Sequence, residues 1–137
     1  MSKKTSIIRT RAAGDNHQVV TVKSDKKAYR RKPCANCPWR KDAVGEFPPE
    51  AFRHSAETSY DQSFNIFACH DSGVEHAATC AGFILRGADN NLAVRLAYLR
   101  NEVPEVTDGG HKLFDNYKQM AIANNVDEAD PVLVRCR

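Results

Sequence analysis

Four cysteines constrain this chain more than any other feature. Cys34-Ala35-Asn36-Cys37-Pro38-Trp39-Arg40 is a C-x2-C knuckle, answered downstream by Phe67-Ala68-Cys69-His70 and by Cys80-Ala81-Gly82-Phe83. A C-x2-C turn aims two sulfurs at one point with little chain ordering, and two later thiolates complete a tetrahedron around a metal ion. The spacing predicts one metal centre held by Cys34, Cys37, Cys69 and Cys80, with His70 as an alternative ligand. Four protein ligands leave no position for a reactive water, so the centre is expected to be structural. Zinc is the expected ion. An iron–sulfur cluster is the rival, because four cysteines and a proline after a ligand cysteine also occur in ferredoxins. Reduced cysteines packed as small apolar residues are the plainer alternative. Cys136 is the leftover thiol, expected at the surface.

Five cysteines, an odd number, argue against a purely disulfide framework. The opening Met1 to Arg11 is charged and lacks the apolar core of a secretory signal. No apolar run approaches the roughly 20 residues of a membrane span. The expectation is therefore a cytoplasmic protein with no membrane partner, where clustered thiols stay reduced and serve metals more often than disulfides. A length of 137 residues is that of a single domain.

Charge divides the chain in two. Residues 1–41 carry 12 Lys/Arg against two acids, whereas residues 42–137 carry eight against 15. Residues 1–28 read as a basic, partly flexible arm and residues 29–137 as a metal-binding helical domain. The densest basic run is Lys26-Lys27-Ala28-Tyr29-Arg30-Arg31-Lys32, leading directly into the knuckle. Lys26, Lys27, Arg30, Arg31, Lys32, Arg40 and Lys41 are candidates for phosphate contact. A local role, offsetting the formal charge of a thiolate-bound metal, fits them equally. Trp39, the sole tryptophan, is either a lid packed over the metal or an exposed surface for a base or a partner.

Apolar periodicity predicts an α+β domain, mainly helical, of three to four helices and a short strand pair. The β-branched run His17–Val22 and the alternating Ser63–Ala68 are the strands. A first helix opens at Pro48-Pro49, carries Phe52, Ala56 and Tyr60, and ends near residues 59–61. A short helix carries Cys80, Phe83, Ile84 and Leu85 and stops at Gly87. Asp89-Asn90-Asn91 caps another whose apolar face is Leu92, Leu96 and Leu99. The last holds Leu113, Tyr117, Met120 and Ala121 and ends at Asn124-Asn125. The tail from Asp127 is expected to be irregular, with Val132, Leu133 and Val134 tucked against the body.

Other chemistries have thinner support. His70, Asp71 and His76, with Glu75 and His111, compose an alternative hydrolytic or nuclease centre, yet no open coordination position is implied. The chain has no Gly-rich phosphate loop, H-E-x-x-H or G-x-S-x-G. Pro33-Cys34-Ala35-Asn36-Cys37 matches half of the zinc-deaminase signature, but no H-x-E precedes it. No catalytic set is assigned.

At Cys34 to Arg40, Phe67 to His70 and Cys80 to Phe83 the chain resembles a family of small proteins of unknown function from bacteria, phages and prophages. The resemblance continues through Arg86–Asn91, Val94–Ala97 and Asp108–His111, and covers about Pro33 to Arg137. It implies no established activity. It adds weight to the cysteines as ligands and suggests a phage accessory protein acting in a host cytoplasm. Such a protein would bind DNA or another nucleic acid, or inhibit a host factor, its acidic body serving as a nucleic-acid mimic.

Overall fold

Tandem prolines open the first helix. In a computed structural model of the chain, which describes residues 6–14, 17–23, 29–60, 62–69 and 78–136, Pro48 is extended and Pro49 starts α1 (Pro49–Ser55). A missing amide hydrogen costs nothing at that position. Glu50 in the first turn and Arg53 and His54 in the last complement the helix dipole. A 3-10 turn, Ala56–Ser59, carries the winding on to Tyr60. The described residues form a small, mainly helical domain with four helices. Besides α1 these are a π-helical segment (Phe83–Gly87), α2 (Leu92–Leu99) and α3 (Tyr117–Ala123).

The strands differ from expectation. β1 (Ser6–Gly14) and β2 (His17–Lys23) form an antiparallel hairpin, with Arg9 opposite Thr21 and Arg11 opposite Val19. The expected pair inside the domain is not seen: Ser63–Ala68 makes a single antiparallel bridge, Ala68 to Thr79. The cause is competition for its carbonyls. Asn65 O accepts from the Asn91 side chain at 2.7 Å and Ser63 O from Leu92 N at 2.8 Å, so both serve the start of α2 instead of a ladder.

Asn91 sets the roll of α2. It is fully buried; its Oδ1 accepts from Val94 N at 3.1 Å, and its Nδ2 donates to Thr58 O and Asn65 O at 3.1 and 2.7 Å. A cap held from three sides turns the 91, 94, 97 row inward, since residues three apart share a helix face. Val94 and Ala97 are therefore the buried pair, and the expected face of Leu92, Leu96 and Leu99 is corrected: Leu99 is 83% exposed. α3 follows its predicted pattern, burying Tyr117, Met120 and Ala121, but starts later. Leu113 lies outside it, buried in a bridge with Arg40. Both helices end on an asparagine with positive φ, Asn101 (58°) and Asn125 (73°), a conformation asparagine tolerates better than most residues.

Trp39 is the centre of the core. Its ring meets Phe67 and Tyr117 edge-on, with centroids 5.9 and 5.7 Å away, and Phe67 stacks on Phe83 at 6.1 Å. The Tyr117 hydroxyl donates to Phe52 O at 2.7 Å, tying α3 to α1. In the tail, a 3-10 turn at Pro131–Leu133 buries Leu133 while Val134 stays exposed. The Tyr60 hydroxyl holds this turn by donating to Val132 O at 2.8 Å.

Candidate metal centre

The knuckle is built by two successive turns. Cys37 N donates to Cys34 O at 3.2 Å and Arg40 N to Cys37 O at 3.1 Å. Arg40 then folds back over it: Nη1 reaches the carbonyls of Cys34 and Ala35, each at 3.2 Å, while Nε and Nη2 grip the Asp42 carboxylate at 2.8 and 2.6 Å. The Asp42 carboxyl is held below its ordinary range first by that hydrogen-bonded pairing.

All four predicted ligands are buried, and none of the five cysteines is in a disulfide. Cys37 Sγ lies 3.6 Å from Cys80 Sγ. Hydrogen bonding to Cys34, then to Cys80, and then burial hold the Cys37 thiol protonated far above the usual range. Cys69 and Cys80 flank the Ala68–Thr79 bridge: Cys69 N donates to Ala78 O at 2.6 Å and Cys80 N to Phe67 O at 2.9 Å. In an antiparallel pair this register puts both cysteines on one side, since alternate residues face alternate ways. Cys37 and Cys80 thus meet sulfur to sulfur, and Cys69 emerges on the Cys80 side. Even so, no group of three or more Cys, His, Asp or Glu among the described residues converges closely enough to hold a metal.

The other predicted site residues fall into three sets. His70, Asp71, Glu75 and His76 lie outside the described residues, as do Lys26 and Lys27. Trp39 is 0% exposed, which corrects its reading as a surface for bases or partners: packing on Gly82, Gly87, Phe67 and Tyr117 leaves no face open. Among the described residues its Nε1–H has no hydrogen-bond partner. Arg40 is likewise spent on the knuckle carbonyls and Asp42. Arg31, Lys32 and Lys41 are exposed and Arg30 is half-buried, its amide donating to Thr79 O at 2.9 Å. Cys136, expected at the surface, is buried; its thiol points at Ala56 O, 3.5 Å away, and burial pushes it up to about 11.

Sequence reasoning missed two things. The sequence marks Gly82 only as part of the C-A-G-F segment and Gly87 only as a helix stop, whereas their lack of a side chain is what admits the indole. Lys112 carried no motif, yet its carbonyl accepts from Lys41 N at 2.9 Å, placing it beside the knuckle.

Fold and site together define a small helical domain organised around a buried thiol cluster and one tryptophan. Residues 29–137 match DUF6283, a family of unknown function, and the chain belongs to it. No curated protein and no solved structure matches it. Among the described residues no helix is long and apolar enough to cross a membrane.

Proposed function

We propose that the chain is a small binding module whose four cysteines, Cys34, Cys37, Cys69 and Cys80, hold a structural zinc ion. One observation carries the metal reading: the 3.6 Å between Cys37 Sγ and Cys80 Sγ. Sulfurs bound to zinc at about 2.3 Å in a tetrahedron are about 3.8 Å apart, so this pair already has nearly the spacing of one tetrahedral edge. In a cubane iron–sulfur cluster each thiolate bonds a different iron, which requires a wider separation. The thiols fit zinc better. With all four positions taken by protein, the ion supplies folding free energy and no activated water.

The partner is nucleic acid or a protein that handles it, in keeping with an accessory factor of phage or prophage type in a host cytoplasm. The support is electrostatic: 12 Lys/Arg precede Asp42, and residues 42–137 are net acidic. Cations at that density supply salt-dependent, sequence-independent affinity for phosphates.

Elemental analysis with a visible spectrum, on protein purified without air, tests the metal. One zinc per chain and no visible band is the expected result. Iron with sulfide and a broad visible band would overturn it in favour of a cluster, and metal-free folded protein would remove the metal altogether.

A further inference from the structure

Lys41 and Lys112 face each other where the chain leaves the knuckle. Arg40 pairs antiparallel with Leu113, Lys41 N donates to Lys112 O at 2.9 Å, and Phe114 N donates to Trp39 O at 3.1 Å. That register sets the two lysines directly opposite, and both are exposed. Like charges placed opposite each other destabilise a pair of strands unless something of opposite sign joins them.

Lys32 lies against Gly109, three residues before Lys112. Its Cβ and Cδ lie 3.3 and 3.6 Å from where a Gly109 Cβ would stand, and His111 Cδ2 lies 3.6 Å from that point. Its stem therefore runs along the turn that leads into Lys112. Among the described residues none of the three lysines is in an ion pair. Two carboxylates that adjoin the lysines in sequence are hydrogen-bonded elsewhere: Asp42 is gripped by Arg40, and Asp108 Oδ1 accepts from Gly110 N at 2.8 Å.

We infer that Lys32, Lys41 and Lys112 form one contact surface for the phosphate backbone of duplex nucleic acid, with Lys112 contributed by the helical body and not by the basic arm. This rests on the nucleic-acid reading above and deepens it by naming the face. Main-chain bonds fix the lysines of residues 41 and 112 relative to each other before any ligand arrives. Phosphate is the partner that fits, because an unpaired lysine array is sequence-blind and takes successive backbone charges.

The test is fluorescence anisotropy of a labelled DNA duplex with the full chain, titrated between 50 and 200 mM salt as in the usual range for counterion release. The Lys41→Ala/Lys112→Ala protein should bind more weakly at every duplex sequence. The slope of log affinity against log salt should fall by about 2, or about 1 per lysine. Arg95→Ala on α2, outside this face, should leave affinity and slope unchanged. A wild-type slope retained in the double variant, but reduced by Lys26→Ala/Lys27→Ala, would overturn this surface while leaving the nucleic-acid reading intact. Absence of salt-dependent binding by the wild-type chain would remove both.

Discussion

Gly82 lies flat against Trp39: a Cβ at that position would stand 2.6 Å from Trp39 Cγ. Five residues on, a Cβ at Gly87 would stand 2.6 Å from Trp39 Cζ2, at the far end of the same indole. The ring thus lies lengthwise along Phe83–Gly87, with a glycine under each end. This gives a reason for the π winding. Hydrogen bonds from i to i+5 bring residues five apart closer to one face than α winding does. The C-x2-C-P-W and C-A-G-F segments are, on this view, two halves of one joint.

Alanine at either glycine should therefore destabilise by overpacking, about 1–3 kcal/mol each. Urea denaturation followed by circular dichroism would measure it. Trp39→Phe removes the far ring and loses no hydrogen bond among the described residues. It should relieve Gly87→Ala more than Gly82→Ala, because only the Gly87 contact is with the six-membered ring. Strict additivity in that double-mutant cycle would contradict the joint.

Local signals in the sequence were legible where a single residue decides. Pro49 starts α1, Asn91 caps α2, and His17 to Val22 forms a strand, whereas the Asn116 cap that starts α3 after Leu113 carries no signal in the apolar spacing. Burial of Cys34, Cys37, Cys69 and Cys80 agrees with both the ligand reading and the packed-thiol reading, whereas that of Cys136, expected at the surface, was not legible. What could not be read depends on partners distant in sequence. The Leu92, Leu96, Leu99 spacing is a sound apolar stripe, but the amide bonds of Asn91 to Thr58 and Asn65 roll the helix away from it. Ser63–Ala68 alternates like a strand, but its carbonyls were already claimed. Trp39 reads from the sequence as either a packed lid or a surface residue, and two glycines more than forty positions away decide for packing by making room for it.

Asn91 is expected to be the most sensitive polar residue of the domain. Asn91→Ala removes a helix cap worth about 1 kcal/mol. It also strands two carbonyls, those of Thr58 and Asn65, at about 1–3 kcal/mol for each one left buried. A loss of several kcal/mol should appear as a clear drop in the denaturation midpoint. Asn91→Ser, which keeps the cap but cannot reach both carbonyls, should recover only part of it.

Alkaline pH should weaken the fold through buried acids that resist ionising. Burial pushes the Cys136 thiol up to about 11 from an ordinary value of 9.0, and burial also raises the Tyr117 hydroxyl well above 10.0. A raised native value means that the unfolded chain gives up its proton first. The contribution of Cys136 is thus complete below about pH 9 and is lost progressively as pH rises through about 11; that of Tyr117 starts to be lost above about pH 10. Denaturation midpoints measured from pH 7 to 11 should fall over the upper half of that range. Tyr117→Phe, though destabilised by leaving Phe52 O without its donor, should show a shallower fall above pH 10. An unchanged slope would mean that Tyr117 does not carry the effect.

The cysteines should separate by variant into two classes. Cys37→Ser and Cys80→Ser break the 3.6 Å sulfur contact between these residues, so each should lose bound zinc and the stability that comes with it. A chelator should lower the melting temperature of the wild-type chain to near that of these variants, and should leave the variants unmoved, because metal binding is linked to folding. Cys136→Ala sits elsewhere, against Ala56 O and Val132 O. It should keep one zinc per chain and its full response to chelator while losing only about 1 kcal/mol of packing. Equal chelator responses in Cys37→Ser and the wild-type chain would place the metal somewhere other than this cluster. Loss of zinc on Cys136→Ala would draw the fifth thiol into it.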